Sequence, residues 1–234
     1  ELLLLDPDGS PHPCQIQVLA RWFDGSIKWA LLDFQADVEP RHTVEYLLRD
    51  IRTPIDITQP TGIIMKEGSD CIEVDTGQVT FVLDTRVLKP FSRIITSGVE
   101  VLDSSKTAIR LIDEDDREYQ PYISGTTAET RGSLRTTLRF DGTMCDGIGR
   151  RFADFVSRIS FFAGSSTVDV KLTLRNSRAA SHPDGLWDLG DEGSIYFKEF
   201  SMNVALKEAR TGTLLCERPE QPPLDIDAAR LTIY

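Results

Sequence analysis

Along most of this chain apolar residues recur at every second position, a period that strands satisfy and helices do not. The stretch from Gln15 to Phe34 shows it best, as two alternating arms around an Asp24-Gly25 turn, with Trp22 and Trp29 near the arms. In Leu134-Arg-Thr-Thr-Leu-Arg-Phe140, the residues Leu134, Thr136, Leu138 and Phe140 face one way, and Arg135, Thr137 and Arg139 the other. Thr167 to Arg175 repeats the grammar, with Val168, Val170, Leu172 and Leu174 as its apolar row. Ile72–Val74, Gln78–Leu83, Thr107–Ile112, Ala153–Phe162, Ser194–Leu206 and Arg230–Tyr234 also read as strands. Turn signals stand between them at Thr76-Gly77, Asp141-Gly142, Asp146-Gly147, Gly164-Ser165 and Thr211-Gly212. Strands at such spacing predict an all-β protein, a large antiparallel β-sandwich or a barrel, with any helix limited to a single turn.

A break in the alternation divides the chain. Pro54, Pro60, Gly62 and Gly68 mark a connector over 51–69, leaving one unit at 1–50 and a larger one at 70–234. About 50 residues make a marginal core, so the first unit is expected to be part of a barrel or to dock on the second. Arg218 to Asp227, rich in Pro and acidic residues, reads as a second loose region.

Charge and cysteine usage narrow the partners. A net charge of -11 repels phosphate backbones, so nucleic acid is not an expected partner. No run approaches the ~18 apolar residues that cross a bilayer, so neither is a membrane. Cys14, Cys71, Cys145 and Cys216 lie far apart with no CxxC spacing, which argues for buried free thiols rather than zinc. Disulfides stay open if the protein is exported, and a secreted or periplasmic location is the leaning. Glu1 in place of Met makes a processed or excised piece the expectation.

Two groups of side chains carry candidate chemistry. His182, Asp184, Asp188 and Asp191 sit on a Gly-containing loop around Trp187. An indole stacks on the apolar face of a pyranose while polar neighbours bond its hydroxyls. The plainer reading is an ordered loop whose aspartates cap turns and whose Trp187 plugs the sandwich edge. Arg131, Arg135, Arg139, Arg150, Arg151 and Arg158 form the second group, with Arg135 and Arg139 sharing a strand face. A guanidinium fork suits the carboxylate of an acidic sugar, or simply balances nearby Asp and Glu. No cofactor is expected. Calcium is the one ion with hard ligands to offer, at Asp113-Glu-Asp-Asp116 or Asp184/Asp188/Asp191, although neither follows the EF-hand pattern. Trp22 and Trp29 read first as packing residues and second as a sugar platform. No GxSxG, HExxH, phosphate-loop or dinucleotide fingerprint is present, which sets aside serine hydrolases and nucleotide enzymes.

Three segments together resemble the exo-rhamnogalacturonan lyase family, the YetA-like proteins. They are Ala20-Arg-Trp-Phe-Asp-Gly-Ser-Ile-Lys-Trp29 with Leu31-Leu-Asp-Phe34, then Arg158-Ile-Ser-Phe-Phe-Ala-Gly-Ser-Ser166 with Leu174-Arg-Asn176, and His182-Pro-Asp-Gly-Leu-Trp-Asp-Leu-Gly-Asp-Glu-Gly-Ser194. The resemblance implies part of a small RIFT-related β-barrel over 1–50 and a central sandwich of the galactose-mutarotase-like supersandwich type over 70–234. In the family a helical α/α toroid follows, and the enzymes cleave pectin by β-elimination. No helix-rich segment here matches the toroid. The resemblance therefore implies a non-catalytic β portion of a polysaccharide-lyase-like enzyme, inactive alone. It would contact an acidic polysaccharide through His182, Asp184, Trp187, Asp188, Arg135 and Arg139, with the toroid as its partner. The alternative is a stand-alone carbohydrate-binding or scaffold module, since one fold serves many functions.

Overall fold

The computed structural model describes residues 2–51, 62–179 and 192–208, together with the backbone of two further strands at 213–218 and 221–227. Every regular element among them is a strand, and every pairing between named strands is antiparallel. The fold is an all-β sandwich with smaller sheets attached.

The first residues build two small sheets. β1 (Leu2–Leu5) lies between β2 (Pro11–His12) and β5 (Leu47–Asp50), while β3 (Gln15–Arg21) and β4 (Ile27–Asp33) pair only with each other. Gly25 turns the hairpin at φ 86, a left-handed backbone that glycine adopts without a Cβ penalty. Leu3, Leu4 and Leu5 are buried.

The sandwich follows. One layer holds β6 (Ile64–Glu67), β7 (Cys71–Asp75), β8 (Val79–Asp84), β9 (Arg93–Thr96) and β10 (Val99–Glu100) in the order β10-β9-β8-β7-β6. The other holds β11 (Ala108–Asp113), β12 (Glu118–Thr130), β13 (Arg135–Cys145), β14 (Arg151–Phe162), β15 (Val168–Arg175) and β16 (Phe197–Asn203) in the order β15-β14-β13-β12-β11-β16. Their facing sides share one core, in which Val74, Phe81 and Leu83 meet Leu111, Leu138, Phe140, Phe155 and Phe161. The Phe81 and Phe161 rings cross that interface with centroids 5.3 Å apart. Two turns read from the sequence meet across the layers: the Thr76 hydroxyl donates to the Ser165 carbonyl at 2.7 Å, and the Gly164 N–H to the Thr76 carbonyl at 2.7 Å.

Three features differ from the sequence reading. Asp141-Gly142 lies inside β13 rather than at a turn, at a point where a Cβ on Gly142 would collide with the Phe155 ring and the Tyr122 carbonyl. Residues Thr213–Arg218 and Gln221–Asp227, the latter within the region expected to be loose, pair as β17 and β18. The strand expected over Ser194–Leu206 shortens to β16, and the one at Arg230–Tyr234 lies outside the described residues.

Candidate functional site

The face of the six-stranded sheet that points away from the core is polar, and it gathers the arginines. Arg139 on β13 stands directly opposite Arg158 on β14, which stands opposite Lys171 on β15. Such a row of like charges needs carboxylates between them. A β-bulge at Ala128/Thr130 supplies one by giving β12 an unpaired residue, Glu129. Its carboxylate accepts from Arg158 Nε at 2.7 Å and Nη2 at 2.9 Å, and from Arg139 Nη1 at 3.4 Å. Asp141 takes the other side of Arg139 with bonds of 2.8 and 2.6 Å. The Arg158 guanidinium holds the Glu129 carboxyl below its ordinary range, against the opposite pull of burial. Two residues along the same face, Thr137 and Ser160 share a buried hydroxyl bond of 2.9 Å.

At one end of the same face Asp154 accepts from Arg151 and Arg175, each at 3.1 Å. Just beyond, Asn176 donates to the Gly193 carbonyl at 2.7 Å. His182, Asp184, Trp187, Asp188 and Asp191 lie between, outside the described residues. Arg135 is at the opposite end of β13, about 27 Å from the Arg175 row at ~3.4 Å per residue. Of the arginine group, Arg135 thus stands at one end of this sheet face, Arg139 and Arg158 midway, and Arg151 at the Arg175 end.

Arg135 has a partner that local sequence gives no hint of. Its Nε lies 2.8 Å from Asp33 Oδ1, with both side chains about one-fifth exposed. The approach is off-line for a hydrogen bond: Arg135 Nε and Asp33 Oδ2 are the two buried side-chain polar atoms that bond nothing among the described residues. Gln15 and Gln35 flank the pair and staple the first unit to the sandwich. Gln15 Oε1 accepts from the N–H groups of Leu134 and Arg135 at 3.1 and 2.9 Å, and its Nε2 donates to the Arg135 carbonyl at 3.1 Å. Gln35 Nε2 donates to the Ala163 carbonyl at 2.6 Å. Between the staples is a cleft of ≈ 150 Å³, walled by Leu32, Phe34, Leu134 and Phe162. The nearby Cys14 thiol is pushed up by burial and by the charge of Asp33, so it stays protonated at neutral pH.

A second cleft, of ≈ 190 Å³, opens at the edge between the layers, with Ser69, Thr85 and Thr126 above Ile72 and Leu138. Arg131, from the expected arginine group, lines it and is paired with Glu67.

Trp22 and Trp29 are half-exposed or more, not packed as expected, and Lys28 Nζ sits 4.3 Å over the Trp22 ring. The acidic turn offered for calcium is internally bonded: Asp113 accepts from the N–H groups of Asp115 and Arg117 and from the Tyr119 hydroxyl. Asp115 pairs with Arg117 and Asp116 with Lys198. Among the described residues no three His, Cys, Asp or Glu side chains are grouped to hold a metal. Cys14, Cys71 and Cys145 are free thiols but not buried as expected, Cys71 being exposed and the other two half-buried, and the Cys216 side chain is outside the described residues. No family model and no curated protein matches the chain.

Proposed function

We propose that this chain is the glycan-contacting, non-catalytic β portion of a polysaccharide-lyase-like enzyme that acts on rhamnogalacturonan or a related acidic glycan. A helical toroid would supply the catalytic groups, and the small sheets would represent part of a RIFT-related barrel. One observation carries the reading. Two of the three segments that resemble the family, Leu31 to Phe34 and Arg158 to Ser166, come together at the cleft beside Arg135. From there the polar face runs past Arg139 and Arg158 to Arg175, a strip suited to an extended chain of acidic sugars. The exposed arginine–carboxylate pairs do not block it. Such pairs are worth about 0–1 kcal/mol in water, so an incoming uronate exchanges for Glu129 at little cost.

The test is to mix this chain, and a longer chain that includes the toroid, with rhamnogalacturonan fragments while following unsaturated-sugar absorbance and binding. Binding by this chain, with absorbance only from the longer one, is the expected pattern. Absence of both with every acidic polysaccharide tried would remove the reading and leave the fold untouched. Trp187→Ala should weaken oligosaccharide binding severalfold at unchanged thermal stability. A loss of ~3–5 kcal/mol of stability would instead mark Trp187 as a packing residue. The second reading, a stand-alone carbohydrate-binding or scaffold module, draws on the exposed indoles of Trp22 and Trp29, which offer faces for sugar rings without any catalytic group.

A further inference from the structure

We infer that the cleft of ≈ 190 Å³ at the edge between the two layers is a subsite for one neutral sugar residue, held through its hydroxyls by Ser69, Thr85 and Thr126. The inference rests on the reading of the chain as a glycan binder. It adds a place for the uncharged units of that glycan, which the arginine strip does not supply. The space itself comes from residue size on the inner face. Thr126 and Ala128 on β12 stand opposite Phe140 and Leu138 on β13, so small side chains take inward positions where the next strand carries large ones. Protein interiors hold few voids larger than a water, so a gap of this size at the sheet edge is unusual.

The polar groups of the cleft are within reach of an occupant. Ser69 is exposed, and Thr85 and Thr126 are half-buried. The Thr126 hydroxyl has no hydrogen-bond partner among the described residues, yet it is not sealed, since the unpartnered buried polar atoms belong to Asp33 and Arg135. The Thr85 hydroxyl makes only a long bond, 3.5 Å, to the Ser69 carbonyl. Thr126 thus offers a donor and acceptor positions, and Thr85 its acceptor positions. At the rim Glu67 and Arg131 pair with each other. An anion drawn to Arg131 meets the repulsion of Glu67, and a cation meets the reverse. Ala128 gives one wall that neither donates nor accepts. Water suits the hydroxyls but not that wall, whereas a pyranose edge brings hydroxyls to the first and C–H surface to the second. The volume lies below the ~300–1,000 Å³ of drug-sized sites, which fits one ring rather than a chain. Backbone bonds set the walls beforehand: the Gly68 N–H donates to the Cys71 carbonyl at 2.8 Å, and the Ile63 N–H to the Ser133 carbonyl at 3.0 Å. Little ordering is left for the ligand to impose.

The experiment measures binding of methyl rhamnoside, galacturonate and rhamnogalacturonan oligosaccharides by calorimetry and saturation-transfer NMR. Wild type is compared with Thr126→Val, which removes the hydroxyl at nearly constant volume, and with Ser69→Trp, which covers the cleft from an exposed turn. Thermal midpoints establish that each variant is folded, and Ser69→Trp decides the matter should Thr126→Val unfold. Methyl rhamnoside should bind wild type more tightly than galacturonate does. Thr126→Val should weaken it about fivefold, the scale of one lost hydrogen bond, and Ser69→Trp tenfold or more. Three results would overturn the subsite: folded variants that bind like wild type, a clear preference for galacturonate, or a sugar-soaked crystal with only water in the cleft. If oligosaccharides bind wild type and both variants alike, the subsite falls while the glycan reading stands. If nothing binds wild type, both fall.

Discussion

Asp113 shows how far a residue's role is legible before its neighbours are known. In sequence it opens an acidic run and reads as solvated or as a cation ligand. In the fold it is almost fully buried and acts as the turn's own cap. Burial works to raise its pKa, but the N–H of Arg117, the Tyr119 hydroxyl and the N–H of Asp115 outweigh it and hold the carboxyl below its ordinary range. The folded protein therefore binds this proton less readily than the unfolded chain does. The stability it lends is complete above the unfolded value of about 3.9 and is lost as pH falls through the folded one. Thermal midpoints between pH 2 and 6 should show a steep acid limb in wild type and a shallower one in Asp113→Asn. At neutral pH the variant should be less stable by about 2 kcal/mol, the scale of a charge-assisted hydrogen bond. Equal limbs would mean that other carboxylates set the acid response. Arg135 and Arg139 repeat the lesson, since alternation gave their face correctly. Asp141, two residues along the same face, follows from that alternation, but Asp33 and Glu129 do not, because they come from β4 and a bulge in β12.

At the level of the element, strands with a long alternating apolar row were legible, and short or interrupted ones were not. β13, β14 and β15 follow the expected rows, and their inward residues join the core. β12 went unread despite being the longest strand, because Pro121, Ser124-Gly125 and the bulged Glu129 interrupt its period. Asp141-Gly142 misled in the other direction. A glycine after an aspartate favours a turn, yet here its lack of a side chain makes room for the Phe155 ring and the neighbouring backbone. Gly142→Ala should accordingly destabilise by about 1–3 kcal/mol, the usual consequence of overpacking. Gly125 on the adjoining strand meets nothing within 4 Å of its would-be Cβ, so Gly125→Ala should change stability little. Denaturant melts of the two variants decide the matter: equal effects would show that backbone freedom rather than space explains Gly142.

For the whole molecule, the two greasy layers could be read from period alone, but the attachment of the first unit could not. Its anchors are single polar residues, Gln15 and Asp33 in strands that otherwise look like any alternating hairpin, and Gln35 just after β4. The hairpin beyond those anchors adds little hold, since among the described residues β3 and β4 pair with no other strand and Leu19, Phe23 and Trp29 stay exposed. The union of the two units thus depends heavily on Gln15, whose amide closes against three backbone groups of the sandwich. Gln15→Ala leaves the N–H groups of Leu134 and Arg135 and the Arg135 carbonyl without that partner. The consequence belongs to the junction rather than to the core, where Leu138, Phe140 and Phe155 are untouched. Amide hydrogen exchange should therefore quicken tenfold or more across β1 to β5 in the variant, while β13 and β14 beyond Thr137 keep wild-type protection. Uniform acceleration through both units would show instead that they open as a single cooperative body, with the glutamine a minor part of a broader interface.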